Sequence, residues 1–247
     1  MVDALFADPR LAAVYDPLDP DRRDLDAYAA MAAEFGAVAV LDIGCGTGTL
    51  ACLLATRGHD VTGLDPAAAS LRIAHSKPGA ERVRWLQGYP TDLHPLLADL
   101  ATMTGNVAQV FLTDEDWTAT LRAVQAALRP GGRLVFETRD PAARAWLEWT
   151  PDRSYRRADV PGVGGVQQWH EVTDVHGDLV TFDTTIVFEA DGTRVTSAST
   201  LRFRTRDEVA DSLAVAGYQV DEIREAPDRP GLEMVFITSR GSDEGPG

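Results

Sequence analysis

The sequence predicts an α/β protein built on a doubly wound parallel sheet, with an antiparallel β-meander inserted near its C-terminal end. Five apolar strand-like runs alternate with helical segments between residues 37 and 138, which is typical of parallel strands joined by right-handed crossovers. Residues 166–205 alternate with a period of two instead and contain the turn sequences HGD and DG, which predicts three antiparallel strands. Two final strand-like runs, 218–225 and 232–240, bring the main sheet to seven strands.

The individual elements follow from local sequence patterns. Residues 11–35 contain a short helical stretch, a turn broken by proline and a second amphipathic helix. Continuous apolar runs predict buried strands at 37–44, 60–65, 83–88, 100–104 and 133–138. Helices are predicted at 49–58, 67–76, 114–129 and 205–217. Gly58 and the Pro-Gly-Gly at 130–132 are positioned to end helices, and Thr113 and the pair Thr205 and Glu208 to begin them.

Composition and charge exclude several classes of protein. The 247 residues carry a net charge of −15, which opposes binding to phosphate backbones, so nucleic acid is not expected as a partner. No apolar run reaches the length of a membrane span, and the N-terminus lacks a secretory signal, so the cytoplasm is the expected location. Cys45 and Cys52 fit a reducing compartment, and the absence of CxxC, HExxH or a Cys/His cluster predicts no metal site.

The most informative segment is VLDIGCGTGTLA at residues 40–51. Gly44, Gly46 and Gly48 follow a predicted strand directly and open a helix, at the edge where such sheets bind ligands. Glycines there allow backbone amides to approach a ligand closely. Asp65 ends the second predicted strand, where its carboxylate can accept hydrogen bonds from both hydroxyls of a ribose.

Three classes of cofactor compete for this turn. The phosphate-binding pattern GxxxxGK[ST] is absent, and the dinucleotide pattern GxGxxG fails at its third glycine, where Thr49 stands. Asp42, two residues before the first glycine, would repel a pyrophosphate but suits a cation. The turn therefore favours S-adenosylmethionine, which carries an ammonium and a sulfonium and no phosphate.

These motifs resemble those of a known family. LDIGCGTG at 41–48, GLDP at 63–66 and RPGGRLVF at 129–136 are similar to the first two motifs and the fifth-strand segment of class I S-adenosylmethionine-dependent methyltransferases of the small-molecule type. The resemblance covers roughly residues 11–140 and implies a Rossmann-like seven-stranded sheet with S-adenosylmethionine as cofactor. It implies these cofactor-binding residues: Tyr15, Asp42, Gly44, Cys45, Gly46, Gly48, Asp65, Pro66, Gly88, Tyr89, Thr104, Gly105 and Asn106.

The resemblance also implies a role for each group. The glycines would contact the methionine portion, Asp42 would face its amino group and Asp65 would hold the ribose. Pro66 and residues 86–89 would flank the adenine, and residues 104–106 would border the methyl group. Tyr15 would close over the cofactor as part of an N-terminal lid.

A domain division follows from the same reading. Residues 1–150 would form the lid helices and the cofactor-binding core, and 151–205 an antiparallel insertion that serves as acceptor lid or dimer surface. Residues 206–240 would supply the last helix and the terminal strands, and 241–247 a disordered tail.

The chain departs from the family pattern after the third strand. Family members commonly have the sequence GDA there, whose acid accepts the adenine amino group, whereas this chain has GYP. Either Tyr89 stacks on the purine or Asp92, three residues on, supplies the carboxylate through a shifted loop.

The acceptor side carries weaker sequence patterns. His170 in the meander is the candidate catalytic base because the pKa of a histidine suits proton removal near neutrality, and His94 is a second candidate. Trp169 is read as a packing residue. Glu137 and Arg139 leave the fifth strand at the ligand edge, where they either bind a polar acceptor or pair with each other.

The expected function is methyl transfer to an O, N or C atom of a small-molecule acceptor, by a protein that has no membrane partner and whose meander could also form a homodimer. One alternative is a protein of the same fold that binds the cofactor without methyl transfer or does other chemistry in the pocket. A nicotinamide-dependent oxidoreductase is a second alternative, disfavoured by Thr49 and Asp42.

Overall fold

The computed structural model of the protein describes residues 2–94 and 96–241, and within these ranges it contains eleven strands and eight α-helices. The strands are β1 (Ala39–Ile43), β2 (Asp60–Asp65), β3 (Val83–Gln87), β4 (Ala98–Met103), β5 (Leu128–Arg139), β6 (Arg156–Val160), β7 (Gly164–His176), β8 (Leu179–Phe188), β9 (Arg194–Arg202), β10 (Tyr218–Glu225) and β11 (Glu233–Arg240). The helices are α1 (Ala4–Ala7), α2 (Pro9–Leu18), α3 (Asp24–Glu34), α4 (Thr49–Thr56), α5 (Ala68–Ser76), α6 (Asp114–Ala127), α7 (Pro151–Ser154) and α8 (Arg206–Val215).

The main sheet has seven strands in the order β10-β11-β5-β4-β1-β2-β3. Strands β1 to β5 are parallel, and β11 runs antiparallel between β5 and β10. The strand order reverses at β1, between β4 and β2, which is where doubly wound sheets bind ligands. The predicted fold class is confirmed.

Helices cover both faces of this sheet because its strands are apolar on both sides. On one face α3 and α4 pack on residues such as Val40 and Leu100. On the other face α6 and α8 pack on their sequence neighbours Leu41 and Ala101, together with Phe136. This two-sided burial is the physical reason that the strands read as continuous apolar runs rather than alternating ones.

The inserted sheet has four strands, in the order β6-β7-β8-β9. The three antiparallel strands predicted over residues 166–205 are confirmed as β7, β8 and β9, and the sequence did not predict β6. The extra strand, β6, pairs antiparallel with β7 from Arg156↔Gln168 to Val160↔Gly164. A tight turn joins the two strands, with Gly162 in the left-handed region at a φ of 77°. The sequence RRADV is too polar to be recognised as a strand, and pairing with β7 is what orders it.

Helix α2 packs on the inserted sheet rather than on the main one. Leu11, Val14 and Leu18 form a third apolar cluster with residues of that sheet, among them Ile186 and Phe188. The N-terminal helix and the insertion are therefore joined through a shared core, although more than a hundred residues separate them in the sequence.

Most predicted element boundaries hold to within about three residues, with a correction where α6 gives way to β5. Helix α6 ends at Ala127, so Pro-Gly-Gly at 130–132 lies inside β5 and does not end the helix as predicted. This strand begins at Leu128 and not at residue 133, because Leu128 pairs with Ala98 before a register irregularity, and Gly131 kinks the strand at a φ of 71°. The caps at Thr113 and at Thr205 with Glu208 are confirmed. Of the predicted tail, residues 242–247 lie outside the described residues. None of the helices in the described ranges is long and apolar enough to span a membrane.

Candidate functional site

The glycine turn connects β1 to α4 and adopts a backbone that favours glycine. Gly44, Gly46 and Gly48 have φ values of 66°, 54° and 78°, all in the left-handed region. The amides of Gly44 and Cys45 donate to the carbonyl oxygen of Leu64 at 2.8 and 3.1 Å. The turn is thus tied to the end of the neighbouring strand β2.

The three glycines differ in what surrounds them. A Cβ on Gly44 would lie 2.5 Å from Val107 Cγ2, and one on Gly48 would lie 2.5 Å from the Trp85 ring. A Cβ on Gly46 would meet only the carbonyl oxygen of Gly44, at 4.0 Å. The outer glycines therefore serve close packing, whereas the middle glycine faces open space on the side available to a ligand.

Asp65, the last residue of β2, is linked directly to this turn. Its Oδ2 accepts the Gly46 amide at 2.8 Å and its Oδ1 accepts the Ala67 amide at 2.7 Å. Burial raises the pKa of the carboxyl group, and the two amides oppose that shift. Each carboxylate oxygen has two acceptor sites, so both oxygens retain capacity for a further donor.

Asp42 is the most unusual charged group at the edge of the sheet. Its side chain is 1 % exposed; Oδ1 accepts the Thr102 hydroxyl at 2.9 Å, whereas Oδ2 has no hydrogen-bond partner among the described residues. Burial raises its pKa to about 7, the Thr102 hydroxyl opposes the shift and the Asp65 charge adds to it. The Ala51 amide also opposes the shift. A buried carboxylate is costly unless it is paired, and a cationic ligand group at this end of the sheet would favour its ionised form.

The corner after β3 carries Gly88 and Tyr89. The Gly88 amide donates to the backbone oxygen of Asp65 at 3.2 Å, and Pro66 lies half-buried beside Asp65. The Tyr89 side chain is exposed, and its amide donates to Asp92 Oδ2 at 2.8 Å. Tyr89 and Asp92 therefore lie at the same corner, and both predicted ways of contacting an adenine stay open.

The buried carboxylate of Glu137 holds the loop after β4 in place through hydrogen bonds. The amides of Gly105 and Asn106 donate to Glu137 Oε1 at 2.6 and 3.3 Å, and the Tyr28 hydroxyl donates to Glu137 Oε2. Burial raises the pKa of Glu137, and the Tyr28 hydroxyl opposes this. Glu137 thus fixes the position of residues 104–106, with Thr104 half-buried at the start of the loop.

Arg139 does not pair with Glu137, so that alternative from the sequence is wrong. Its guanidinium lies 3.5 Å from Glu233 Oε1 and donates to the Gln109 side chain at 2.9 Å. Glu233 is an antiparallel neighbour from β11 and also accepts from Arg229 at 2.8 Å and from Asn106 Nδ2 at 3.0 Å. These contacts form a buried charged network next to the loop after β4.

Helix α2 contacts the glycine turn through Asp16, the residue after Tyr15. Asp16 Oδ1 accepts the Thr47 hydroxyl at 2.7 Å, and Tyr15 is half-buried beside it. Burial raises the pKa of Tyr15, and the charge of Arg22 opposes this. Arg22 also lowers the pKa of Asp42, which shows that its charge reaches the turn.

His170 lies on the face of β7 that turns towards Phe182, with the two rings edge to face at 5.8 Å. Burial, together with the charges of Arg156 and Arg139, lowers the pKa of His170 to about 4. Its Nδ1 contacts Thr184 Oγ1 at 3.0 Å and its Nε2 contacts the Gln168 amide nitrogen at 3.3 Å. The ring is therefore neutral at pH 7 and has a partner at each nitrogen, which argues against proton removal by this side chain.

The other candidates on the acceptor side lie at the surface or in packing contacts. His94 is exposed in the loop after β3. Trp169 is half-buried under the guanidinium of Arg194, at 5.2 Å from the ring centre.

The structure brings most predicted site residues together at the carboxyl ends of β1 to β4, and His170 lies on the inserted sheet. Sequence reasoning missed the roles of Thr102, Tyr28 and Glu233, because each acts through a partner that is distant in the sequence. It also missed Asp16 and Lys77, although the presence of a single lysine was a visible signal.

Comparison with solved structures places the whole chain in one fold. A S-adenosylmethionine-dependent methyltransferase from Clostridium acetobutylicum superimposes with a TM-score of 0.75 at 17 % identity, over 94 % of this chain and 98 % of that one. A S-adenosylmethionine-bound amino pentose methyltransferase from Micromonospora echinaspora gives a TM-score of 0.67 at 23 % identity, over 88 % and 90 % of the two chains. The fold is that of the class I methyltransferases.

Sequence comparison finds similarity in the central part of the chain. Residues 40–132 match the model of a methyltransferase domain family. A ubiquinone biosynthesis O-methyltransferase from Pectobacterium carotovorum is 34 % identical over 113 residues, which cover 44 % of this chain and 46 % of that protein. The chain thus spans about half the length of the curated relatives that it matches.

Proposed function

We propose that this protein transfers a methyl group from S-adenosylmethionine to an oxygen, nitrogen or carbon atom of a small-molecule acceptor. The observation that carries the proposal is the buried carboxyl group of Asp42, whose Oδ2 has no hydrogen bond within the described part of the chain, beside a turn whose middle glycine faces open space. A cofactor with an ammonium group and no phosphate satisfies that carboxylate, whereas the pyrophosphate of a nicotinamide dinucleotide would be repelled by it.

The residues of the sheet edge fit this cofactor. Asp42 would pair with the ammonium group, Asp65 would accept from the ribose hydroxyls, and the open side of Gly46 would admit the methionine portion. Pro66 and Tyr89 would flank the adenine, with Tyr89 stacking on it. When bound, the cofactor supplies an electrophilic methyl group on its sulfonium.

The protein contributes mainly by holding the reacting groups and by excluding water. Glu137 would keep residues 104–106 in place beside the methyl group through the amides of Gly105 and Asn106. Tyr15 and helix α2 would cover the cofactor. Because a pKa of about 4 makes His170 a weak base at neutral pH, we assign it the role of orienting the acceptor. Its Nε2 would then hydrogen-bond to the acceptor in place of its long contact with the Gln168 side chain.

We propose two acceptor classes for a first screen. One is hydroxylated aromatic compounds, because the curated relative is a ubiquinone biosynthesis O-methyltransferase. The other is amino sugars, because a structural neighbour is an amino pentose methyltransferase.

We further propose that nucleic acid is not a partner, given the net charge of −15, and that the two unpaired thiols fit the cytoplasm. A homodimer through the inserted sheet remains a proposal.

The first experiment is calorimetric titration with S-adenosylmethionine and with S-adenosylhomocysteine, followed by a screen of both acceptor classes with isotopically labelled methyl donor. Micromolar binding together with label in an acceptor supports the proposal. Binding without transfer to any acceptor favours the alternative of a binding protein or of other chemistry in the pocket. Protection from heating by NAD, and none by S-adenosylhomocysteine, would overturn the cofactor assignment.

The affinity for S-adenosylhomocysteine is expected to rise about tenfold between pH 6 and pH 8. Burial raises the pKa of Asp42 to about 7, well above the ordinary value of 3.8, so the free protein keeps this group largely protonated at pH 6. Because pairing with an ammonium needs the carboxylate, binding must release that proton, and affinity rises as the pH passes through 7.

Calorimetry at pH 6.5 in two buffers with different ionisation enthalpies measures the released proton directly. The matched control is Asp42→Asn, which should bind more weakly and with an affinity that does not change over this pH range. A wild-type affinity that is flat between pH 6 and pH 8 would contradict a pairing between Asp42 and the ammonium group.

A further inference from the structure

Lys77 is the one lysine in a chain that contains 22 arginines, and it lies beside the glycine turn. Its Nζ is 2.7 Å from Asp16 Oδ2 and donates to the hydroxyls of Thr47, at 3.2 Å, and of Thr49. The side chains of Lys77 and Asp16 are only 20 % and 26 % exposed. This ammonium group therefore has a partner for each of its three hydrogens in a largely enclosed position.

The placement of Lys77 is electrostatically unfavourable unless Asp16 is present. Thr49 is the first residue of α4, and the N-terminal end of a helix carries partial positive charge. An ammonium group at that end is repelled, so a carboxylate must compensate it. Asp16 does so, because it accepts from Lys77 and from the Thr47 hydroxyl at 2.7 Å. Lys77, Thr47 and the start of α4 together form a seat for the Asp16 carboxylate.

Asp16 belongs to helix α2, which packs on both the insertion and the core. The apolar side of α2, including Leu11 and Val14, packs on the inserted sheet. On the core side α2 contacts α5, and the preceding helix α1 is tied to α5 because Ser70 donates to the Phe6 carbonyl at 3.1 Å. The Asp16 seat is thus the ionic link between the N-terminal helix and the turn that the proposed cofactor would occupy.

We propose that Lys77 is a positioning residue that holds α2, and Tyr15 with it, against the glycine turn and so slows the exchange of the cofactor. The inference rests on the proposed function, since it takes the turn as the cofactor site. Loss of the ammonium leaves Asp16 without its ionic partner, and α2 is then held on the core side by its packing on α5 and by the hydrogen bond from Thr47. The cofactor would leave faster through the gap.

The test compares Lys77→Ala, Asp16→Ala and the double variant in titrations with S-adenosylhomocysteine. Each single variant is expected to raise the Kd about tenfold, mainly through a faster dissociation rate. The double variant should bind no more weakly than Asp16→Ala, because Lys77 acts through Asp16, whereas Asp16→Ala also removes the acceptor of the Thr47 hydroxyl. The matched control is Arg57→Ala, which breaks an exposed ion pair between α3 and the far end of α4 and should leave the Kd unchanged.

A second measurement needs no cofactor. Tryptic cleavage between Arg10 and Leu11 requires α2 to come away from the inserted sheet, against which Leu11 is 1 % exposed. We expect this opening to be easier once the Asp16 end of the helix is released from the glycine turn. Lys77→Ala and the milder Asp16→Asn should both accelerate this cleavage, whereas Arg57→Ala should not. A limiting amount of an amine-reactive acetylating agent should also modify Lys77 faster in Asp16→Asn than in the wild type. Mass spectrometry measures the rate of this acetylation.

The possible results separate the two proposals. Normal wild-type binding with an unchanged Kd in Lys77→Ala overturns the role of Lys77 and leaves the proposed function intact. A wild-type protein that does not bind S-adenosylhomocysteine overturns both. Cleavage at Arg10 that is equally slow in all variants shows that Lys77 does not hold α2, and this also overturns the inference.

Discussion

Replacing Asp65 with alanine is expected to weaken the binding of S-adenosylhomocysteine by at least about a hundredfold. The variant removes the proposed acceptor of two ribose hydroxyls, and hydrogen bonds to a charged group contribute about 1.5–3 kcal/mol each. It also leaves the amides of Gly46 and Ala67 without their acceptor, so the glycine turn loses its link to β2. Calorimetry on the purified variant measures the first effect.

The unfolding free energy of Asp65→Ala without ligand has to be measured as well, because the lost turn contacts are expected to cost about 1–3 kcal/mol of stability. Asp60→Ala is the matched control, since Asp60 begins the same strand at the opposite edge of the sheet and is exposed. It should bind as the wild type does. If Asp65→Ala folds and binds within threefold of the wild type, the ribose assignment is wrong.

Replacing Gly48 with alanine is expected to lower the unfolding free energy by about 2–5 kcal/mol. The left-handed backbone at a φ of 78° costs an L-residue about 1–2 kcal/mol. The added Cβ would also lie 2.5 Å from the Trp85 ring and 2.7 Å from Ala74 Cβ, and overpacking of this kind costs about 1–3 kcal/mol more. Urea denaturation followed by circular dichroism gives the value.

Gly46→Ala separates the two causes. Its backbone is also left-handed, at a φ of 54°, but nothing lies closer than 4.0 Å to the added Cβ. We expect a stability loss of only about 1–2 kcal/mol. The affinity for S-adenosylhomocysteine should fall clearly, because the alanine side chain enters the open side of the turn. Equal stability losses in the two variants would show that the contact with Trp85 does not constrain the turn.

The site combines a local motif with charged groups from distant parts of the chain. Asp42 belongs to the motif, but the hydroxyl that stabilises its ionised form comes from Thr102, 60 residues away on β4. Glu137 lies near the end of β5, and its partner Tyr28 is 109 residues away on α3. The pKa of each carboxyl group depends on these partners and on burial, so the charge state of the site is a property of the assembled sheet.

The sequence-based predictions that the structure corrects also depend on partners that are distant in the sequence. The sequence leaves open whether Arg139 and Glu137, two residues apart on β5, pair with each other or bind a polar acceptor. Their partners come from other segments, Glu233 for Arg139 and residues 104–106 for Glu137. His170 is the candidate base because an ordinary histidine titrates near neutrality, but burial and two nearby arginines lower its pKa to about 4. Strand β6 was missed because its residues have little strand propensity of their own, and only pairing with β7 orders them.

The sequence by itself determined the alternation of strands and helices, the left-handed glycine turn after β1 and the capped helix starts at Thr113 and Thr205. These features depend on backbone sterics and on hydrogen bonds between residues a few positions apart, which a local pattern records. Only the tertiary structure decided which carboxylates lie buried, that Asp42 keeps an oxygen without a partner, and that Lys77 meets Asp16 at the turn. The physical reason is that burial and charge pairing arise from strand order and helix packing, which join residues that are far apart in the chain.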